Sequence, residues 1–369
     1  MRSFADAQDD EQKKWGVIME KLLLLIPGEP SERLKKMIER SIHGIQYKIL
    51  KNIDEVDNLQ NKKILFAVEL GDTGINAGLY SMLEKISMSG KLFMKNSVGS
   101  ILINSNNELH TRDVARKIIL YCNMAGCTFP GRPLCEAAGQ LKNFNTQQKL
   151  SPDLSLDEIC FKDSENVAKK LMDFKDEKFT KPKILVLHAS NYKTSNTFSL
   201  WKMVKSSLDG CSINEIHIEN GSVKDCKACS YKACKHYSQN HNCFYGGIMV
   251  EEVYPAIIDC DIVIMLCPNY NDSISANLTA TINRLTALFR KIKFYDKYIY
   301  GIIVSGFSGS DVLAQQLISA ININKTFILP PYFALMETAN DIGDIEKTEN
   351  IKEKAREFAE NIKRHQISL

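Results

Sequence analysis

The sequence predicts an α/β protein with two doubly wound parallel sheets in tandem, each in the strand order 2-1-3-4-5. Three observations carry this. Short apolar runs alternate with stretches of helical periodicity, the pattern of parallel strands joined by crossover helices. In the second half, Ile262 to Leu266 is apolar throughout, as a central strand is, whereas Ile216 and Ile218 alternate with Glu215, His217 and Glu219, as an edge strand does. The same outline then occurs twice along the chain.

Taken in order, the polar opening MRSFADAQDDEQKKWG has no apolar core followed by a cleavage site and is expected to be a disordered tail over residues 1–18, with Met19 as the natural start. Residues 19–150 form the first copy, with KLLLLIPGE, KKILFAVEL and VGSILINSN as its first, third and fourth strands. Residues 151–180 mix a helix-like stretch with polar residues and read as a linker ending near Pro182. Residues 181–369 form the second copy, with KILVLHAS, CSINEIHIEN, CDIVIMLCPNY, YIYGIIVSGF and TFILPPYF as strands one to five. SVGSILINSNNELHTRDVARKIILYCNMAG in the first copy matches KYIYGIIVSGFSGSDVLAQQLISAININ in the second by pattern more than by identity. The separation of strands one and three is far longer in the second copy, and the excess falls on a cysteine block.

A length of 369 residues exceeds what one hydrophobic core serves. With 25% charged residues, a net charge of +3 and Lys and Arg scattered along the chain, nothing argues for nucleic acid or an anionic membrane as partner. No run reaches the roughly 18 residues of a membrane span. Eleven cysteines, an odd number in a long chain, fit thiols of a reducing cytoplasm better than a disulfide framework. Cys122, Cys127, Cys135, Cys260 and Cys267 lie among small or apolar neighbours and are expected in the core.

Two loops of the second copy carry candidate ligand chemistry. After strand one comes His188-Ala189-Ser190-Asn191-Tyr192-Lys193-Thr194-Ser195-Asn196-Thr197, followed by a helix with Leu200, Met203, Val204 and Leu208 on one face. Hydroxyls, amides and free N–H groups at a helix N-terminus make an anion site, or simply a capped turn. After strand three, Cys267-Pro268-Asn269-Tyr270-Asn271-Asp272-Ser273 precedes a helix bearing Leu278, Ile282, Leu285 and Phe289. These loops meet at the topological switch point, and Ser305-Gly306-Phe307-Ser308-Gly309 adds a third loop at the same edge. His188 is expected to pack rather than to catalyse.

Cys226, Cys229, Cys234 and Cys243 supply four soft ligands within eighteen residues. A [4Fe–4S] cluster takes four thiolates. Zinc is the rival, with four thiolates or three and His236 or His241. Free thiols in a surface loop remain a third reading.

Ala-Ser-x-x-x-x-Ser-Asn-Thr, Cys-x-x-Cys and CDIVIMLCPNYNDSISANLTATINRL together resemble the NADPH-dependent FMN reductase family, in particular its iron-sulfur flavoprotein branch, over about residues 181–340. The resemblance implies flavodoxin-like folds, with FMN phosphate held by Ser190, Ser195, Asn196 and Thr197. It places the flavin ring beside Pro268, Asn269, Tyr270 and Asn271, with Ser305 and Gly306 on the ring's other side. The first 150 residues resemble the degenerate N-terminal half of two-domain members, notably in NMAGCTFPGRPLCEAAG. Two departures stand out. An arginine common in the first loop is replaced by Asn191-Tyr192, with Lys193 as substitute, and the cysteines are spaced more widely than the family's compact pattern. In the first copy Pro27-Gly28-Glu29-Pro30, with Glu69 and Asp72 nearby, makes a poor phosphate cradle, so one FMN per chain is expected.

The function expected on these grounds is NAD(P)H-dependent flavin oxidoreduction or electron transfer, with FMN and a cluster on Cys226, Cys229, Cys234 and Cys243, and no side chain acting as general acid or base. The alternatives are a non-enzymatic zinc-binding or redox-responsive protein and a cluster-free quinone- or azo-type reductase. The expected partners are a small-molecule or protein electron donor or acceptor and a second copy of the chain; alternatively the fused halves mimic such a dimer within one chain, the first half covering the flavin of the second.

Overall fold

The computed structural model describes residues 21–367; the expected tail and Met19 lie outside them. The first sheet contains β1 (Leu22–Leu25), β2 (Tyr47–Leu50), β3 (Lys63–Leu70), β4 (Ser97–Ser105), β5 (Cys127–Thr128) and β6 (Leu134–Ala138), in the order β2-β1-β3-β4-β5 with β6 also on β4. The second contains β7 (Lys183–His188), β8 (Ser212–His217), β9 (Ile262–Pro268), β10 (Tyr298–Ser305) and β11 (Ala334–Thr338), in the order β8-β7-β9-β10-β11. Every pairing between these strands is parallel. Both sheets thus have the order 2-1-3-4-5. Apolar composition explains the central positions: every residue of β9 and of β10 is buried, as strands covered on both faces must be.

Helices fill the crossovers: α1 (Glu32–Ile42), α2 (Ala77–Met88), α3 (Thr111–Met124), α4 (Leu156–Asp173), α5 (Asn196–Lys205), α6 (Tyr231–Ser238), α7 (Ala276–Lys291), α8 (Ser310–Leu317) and α9 (Ile351–Lys363). The helix of the linker segment, α4, buries Ile159, Val167 and Leu171 in a cluster shared with Leu24, Leu34 and Leu102. It therefore completes one face of the first sheet. Among the described residues no helix is long and apolar enough to cross a membrane.

The fifth strand of the second sheet differs from expectation. Phe327 to Leu329 makes only isolated bridges, Tyr298 with Ile328 and Phe129 with Leu329, because Pro330 and Pro331 bring no N–H to a ladder. The ladder resumes at Ala334. The first sheet breaks in the same way, between β5 and β6, at Pro130 and Pro133.

These two broken strands meet. Phe129 and Leu329 exchange backbone hydrogen bonds, 2.9 Å in each direction. Around them the contacts obey a local two-fold symmetry. Asn123 Nδ2 donates to Cys127 O (3.0 Å) and Pro330 O (2.6 Å), while Asn322 Nδ2 donates to Phe327 O (2.8 Å) and Pro130 O (3.1 Å). Tyr332 N donates to Asn123 O, and Arg132 N to Asn322 O. One break in the symmetry has a covalent cause. Phe333 N donates to Asn123 Oδ1 (3.1 Å), but the corresponding residue in the first half is Pro133, which has no N–H, and Asn322 Oδ1 is left buried without a partner. Gly131 allows the close approach, since a Cβ there would collide with the Thr326 carbonyl. A single apolar cluster runs across the junction, from Ile118 and Phe129 to Leu317, Leu329 and Phe333.

Candidate functional site

The carboxyl ends of β7, β9 and β10 bring the three expected loops to one edge of the second sheet. In the first loop, Asn191 Oδ1 accepts from Lys193 N (2.9 Å), and Ser195 Oγ caps α5 by accepting from Phe198 N (3.2 Å). The N–H groups of Asn196 and Thr197 begin the helix and have no intrahelical acceptor. Ser190 is buried with its Oγ unpartnered. An unsatisfied buried hydroxyl beside a helix N-terminus fits an anion such as a flavin phosphate. Lys193 is exposed beside it.

Asn196 serves differently from the expected direct ligand. Its Nδ2 donates to Asp341 O (2.8 Å) and Ala339 O (3.3 Å), and its Oδ1 accepts from Gly343 N (3.1 Å). The side chain ties the first loop to the segment after β11, and what it leaves for an anion is its backbone N–H.

In the third loop, Pro268 ends β9 in the core. Tyr270 and Ser273 close a hairpin by exchanging backbone bonds, with Asn271 and Asp272 both at positive φ (51° and 56°), the geometry of a type I′ turn. Asn269 Nδ2 donates to Ser305 Oγ (3.1 Å) and Ser308 O (3.3 Å), joining the third and fourth loops, while Asn269 Oδ1 is buried and unpartnered. Ser305 Oγ also pairs with Ser310 Oγ (2.8 Å). Gly309, at φ 92°, lies so close to Asp272 and Asn269 that a Cβ would strike the Asp272 carboxylate. Gly306 sits against Asn340. Tyr270 and Phe307 stand exposed at the rim, flat groups available to a planar ring. Gln316 on α8 fixes the third loop, accepting from Ile274 N (3.1 Å) and donating to Asp272 O (2.8 Å). Since α8 packs on α3 of the first half, the first half supports the site from behind.

His188 ends β7 fully buried, with neither ring nitrogen hydrogen-bonded. Its ring stacks on His217 at 4.8 Å and 13°. Burial, then the neighbouring His217, pushes its pKa down to about 4, so it is neutral at physiological pH.

The first half answers its own helix terminus with a carboxylate. Glu69 Oε2 accepts from Ser31 N (3.1 Å), at the N-cap of α1, and Glu69 Oε1 accepts from Asn104 Nδ2 (2.6 Å). The position a phosphate would take is filled by this chain's own anion.

All four cysteines of the block line one cavity of about 590 Å³, walled by α6 and by Arg284, Ala287 and Arg290 of α7. Four sulfurs around a largely apolar hollow are the donor set that a sulfur-ligated cluster would need. Among the described residues no three His, Cys, Asp or Glu side chains converge closely enough to hold a metal ion, so neither the cluster nor the zinc is shown at this cavity. His236 and His241 are not in the cavity wall. The five cysteines expected in the core are buried, and burial lifts Cys260 and Cys267 to about 12.

Several cations that are scattered along the sequence gather in space around Phe289. Arg132, Lys293 and Lys325 surround the Phe289 ring, with Lys293 Nζ 3.7 Å from its centroid, and Arg290 lies over Tyr231 at 4.7 Å. Burial, and then the repulsion of neighbouring cations such as Arg132 and Arg290, lowers the pKa of Lys293 and Lys325. Sequence reasoning missed this cluster because its members come from three distant segments. A larger cavity, about 870 Å³, lies between the halves around Arg112, Asp163 and Tyr295, and none of the cofactor-loop residues lines it.

Residues 182–341 match the model of the NADPH-dependent FMN reductase family. No curated protein matches the chain by sequence. Solved structures similar to it include a Trp repressor binding protein from Bacillus subtilis (18% identity, 47% of this chain and 95% of that one, TM-score 0.32). An NAD(P)H:quinone oxidoreductase from Methanothermobacter marburgensis (11%, 50% and 98%, 0.38) and an azoreductase from Bacillus anthracis (15%, 49% and 98%, 0.34) are also similar. The family match covers all three loops: residues 182–341 resemble an NADPH-dependent FMN reductase, which favours a flavin oxidoreductase over the non-enzymatic alternative.

Proposed function

We infer that the protein is an electron-transfer flavoprotein in which one FMN sits at the edge of the second sheet and a [4Fe–4S] cluster sits on Cys226, Cys229, Cys234 and Cys243. The observation that carries this reading is the convergence of all four cysteines on one cavity, whose α7 wall starts at the flavin loops. Arg284 stands two turns along α7, roughly 12 Å from its start. When bound, the two groups supply hydride acceptance from NAD(P)H and single-electron transfer respectively.

The chain's own residues bind and orient. Ser190 Oγ and the N–H groups of Asn196 and Thr197 take the phosphate, with Ser195 fixing the helix start. Pro268, Asn269, Tyr270 and Asn271 border the ring on one side, and Ser305 and Gly306 on the other. No side chain is required as a general acid or base.

The cations around Phe289, none of them ion-paired among the described residues, favour an anionic donor or acceptor there. The two-fold junction at Phe129 and Leu329 pairs the two halves within one chain, and this reading takes one chain as the working unit. Eleven unpaired cysteines support a reducing compartment such as the cytoplasm.

The test is a visible spectrum of protein purified without oxygen, with flavin, iron, zinc and sulfide assayed on the same sample. One flavin with about four iron and four sulfide per chain is the expected result. The second reading is the cluster-free reductase. Full turnover in Cys226→Ser and Cys229→Ser would establish it and remove the cluster from the reading.

A further inference from the structure

Arg284 is only 3% exposed and points into the wall of the cysteine cavity. Its Nη2 donates to Gly246 O (2.8 Å), and its Nε has no partner at all. No carboxylate pairs with it among the described residues. Asp225, the only acidic residue between Gly221 and Gly247, is turned elsewhere and accepts from Cys226 N (2.6 Å) and Asn283 Nδ2 (3.0 Å). Arg290, one turn and a half farther along α7 on the same cavity, also has its Nε buried without a partner. A guanidinium out of water with no counter-charge is strongly unfavourable, so such a residue implies an anion not supplied by the rest of the fold.

We propose that Arg284, backed by Arg290, is the counter-charge of the metal centre held by Cys226, Cys229, Cys234 and Cys243, and that it sets that centre's reduction potential. The proposal rests on the reading of the four cysteines as ligands. Four neutral thiols would leave Arg284 uncompensated. Four thiolates around a metal leave a net negative charge facing it, whether the centre is an iron-sulfur cluster or zinc. A fixed cation favours the more negative, reduced state of a redox centre, so it raises the potential. Arg284 is a positioning and tuning residue in this role and touches no reacting atom.

The sign of its effect on stability is the test. The full-length wild type, Arg284→Met and Arg284→Lys are compared in the metal-loaded form and after stripping by a chelator. Arg284→Met is expected to lower the Tm of the loaded form and raise that of the stripped form, because it removes a buried charge that only the loaded form compensates. Arg284→Lys keeps the wild-type pattern. If the centre contains iron, a potentiometric titration followed by EPR should show the Arg284→Met midpoint at least 59 mV lower, a tenfold change in a one-electron equilibrium. Equal losses of Tm in both forms with an unchanged midpoint would make Arg284 a mere prop for Gly246 and overturn the proposal while leaving the ligand reading intact. A wild type that takes up neither iron nor zinc overturns the ligand reading first, and the proposal with it. With zinc bound, the two Tm comparisons alone decide. Should Arg284→Met fail to fold, Arg290→Gln at the same cavity must show the same reversal at smaller size, and its absence counts against the proposal.

Discussion

At the N-terminus of α1 stands Glu69; at the equivalent N-terminus of α5 stands the unpartnered hydroxyl of Ser190. The two halves share a strand order and a broken fifth strand, yet at the place where such a sheet takes a phosphate one is closed by its own carboxylate and the other has donors to spare. A shared fold therefore says where a ligand would bind, and the side chains at one helix end decide whether it does.

The comparison can be broken at its symmetric junction. Asn123→Ala should strand Cys127 O, Pro330 O and Phe333 N in the core, and Asn322→Ala the carbonyls of Phe327, Phe129 and Pro130. Each should cost about 3–4 kcal/mol in urea unfolding, with a single transition for the whole chain. Two separate transitions would show that the halves fold independently across the junction.

Writing the first half's feature into the second is the next largest change. Ser190→Asp places a carboxylate at the α5 terminus and should weaken FMN binding at least a hundredfold, or about 2.7 kcal/mol, as read by flavin fluorescence. Unchanged affinity would move the phosphate away from this loop.

Acid should discriminate between the halves as well. His188 and His365, both in the second half, are buried and pushed down to about 4 from an ordinary value of 6.5, in each case first by burial. Below pH 6.5 the unfolded chain binds protons at these positions that the folded chain refuses, so stability falls as pH falls. Between pH 6.5 and 5 the loss is about 2 kcal/mol per histidine, and His188→Phe should flatten the pH dependence of Tm by its share.

The smallest effect is the reverse exchange. Glu69→Gln removes the internal anion, yet Pro27 and Pro30 still shape the loop and Asn104 still reaches Ser31 Oγ (3.1 Å). A loss of about 1 kcal/mol in stability and no second flavin per chain are expected; a second flavin would mean that Glu69 alone had closed the site.

Much of this was legible in the residues. Apolar runs gave strands one, three and four of each half, Ile216 against Glu215 gave an edge, and Leu278, Ile282 and Leu285 gave the buried face of α7. Tyr47–Leu50 escaped notice because a four-residue edge strand with one buried side chain has almost no pattern. The fifth strand was placed too early because Phe327 to Leu329 has strand composition, while the prolines after it push the ladder on to Ala334. Asn196 read as a ligand because nothing local shows that its amide is taken up by residues 339 to 343. The cation cluster and the lone Arg284 beside four cysteines are products of long-range packing and have no local signature.

The bridge between Phe129 and Leu329 has one more consequence. A homodimer is written by one gene, so any substitution appears on both sides of its axis, and a change that spoils one pocket spoils the other. Here the residues on the two sides of the axis are encoded separately. Pro133 can differ from Phe333 and Glu69 can occupy one helix end without a copy of either appearing across the junction. Such a chain keeps the mechanical support of a symmetric pair while one member is released from chemistry, and asymmetry costs it no partner.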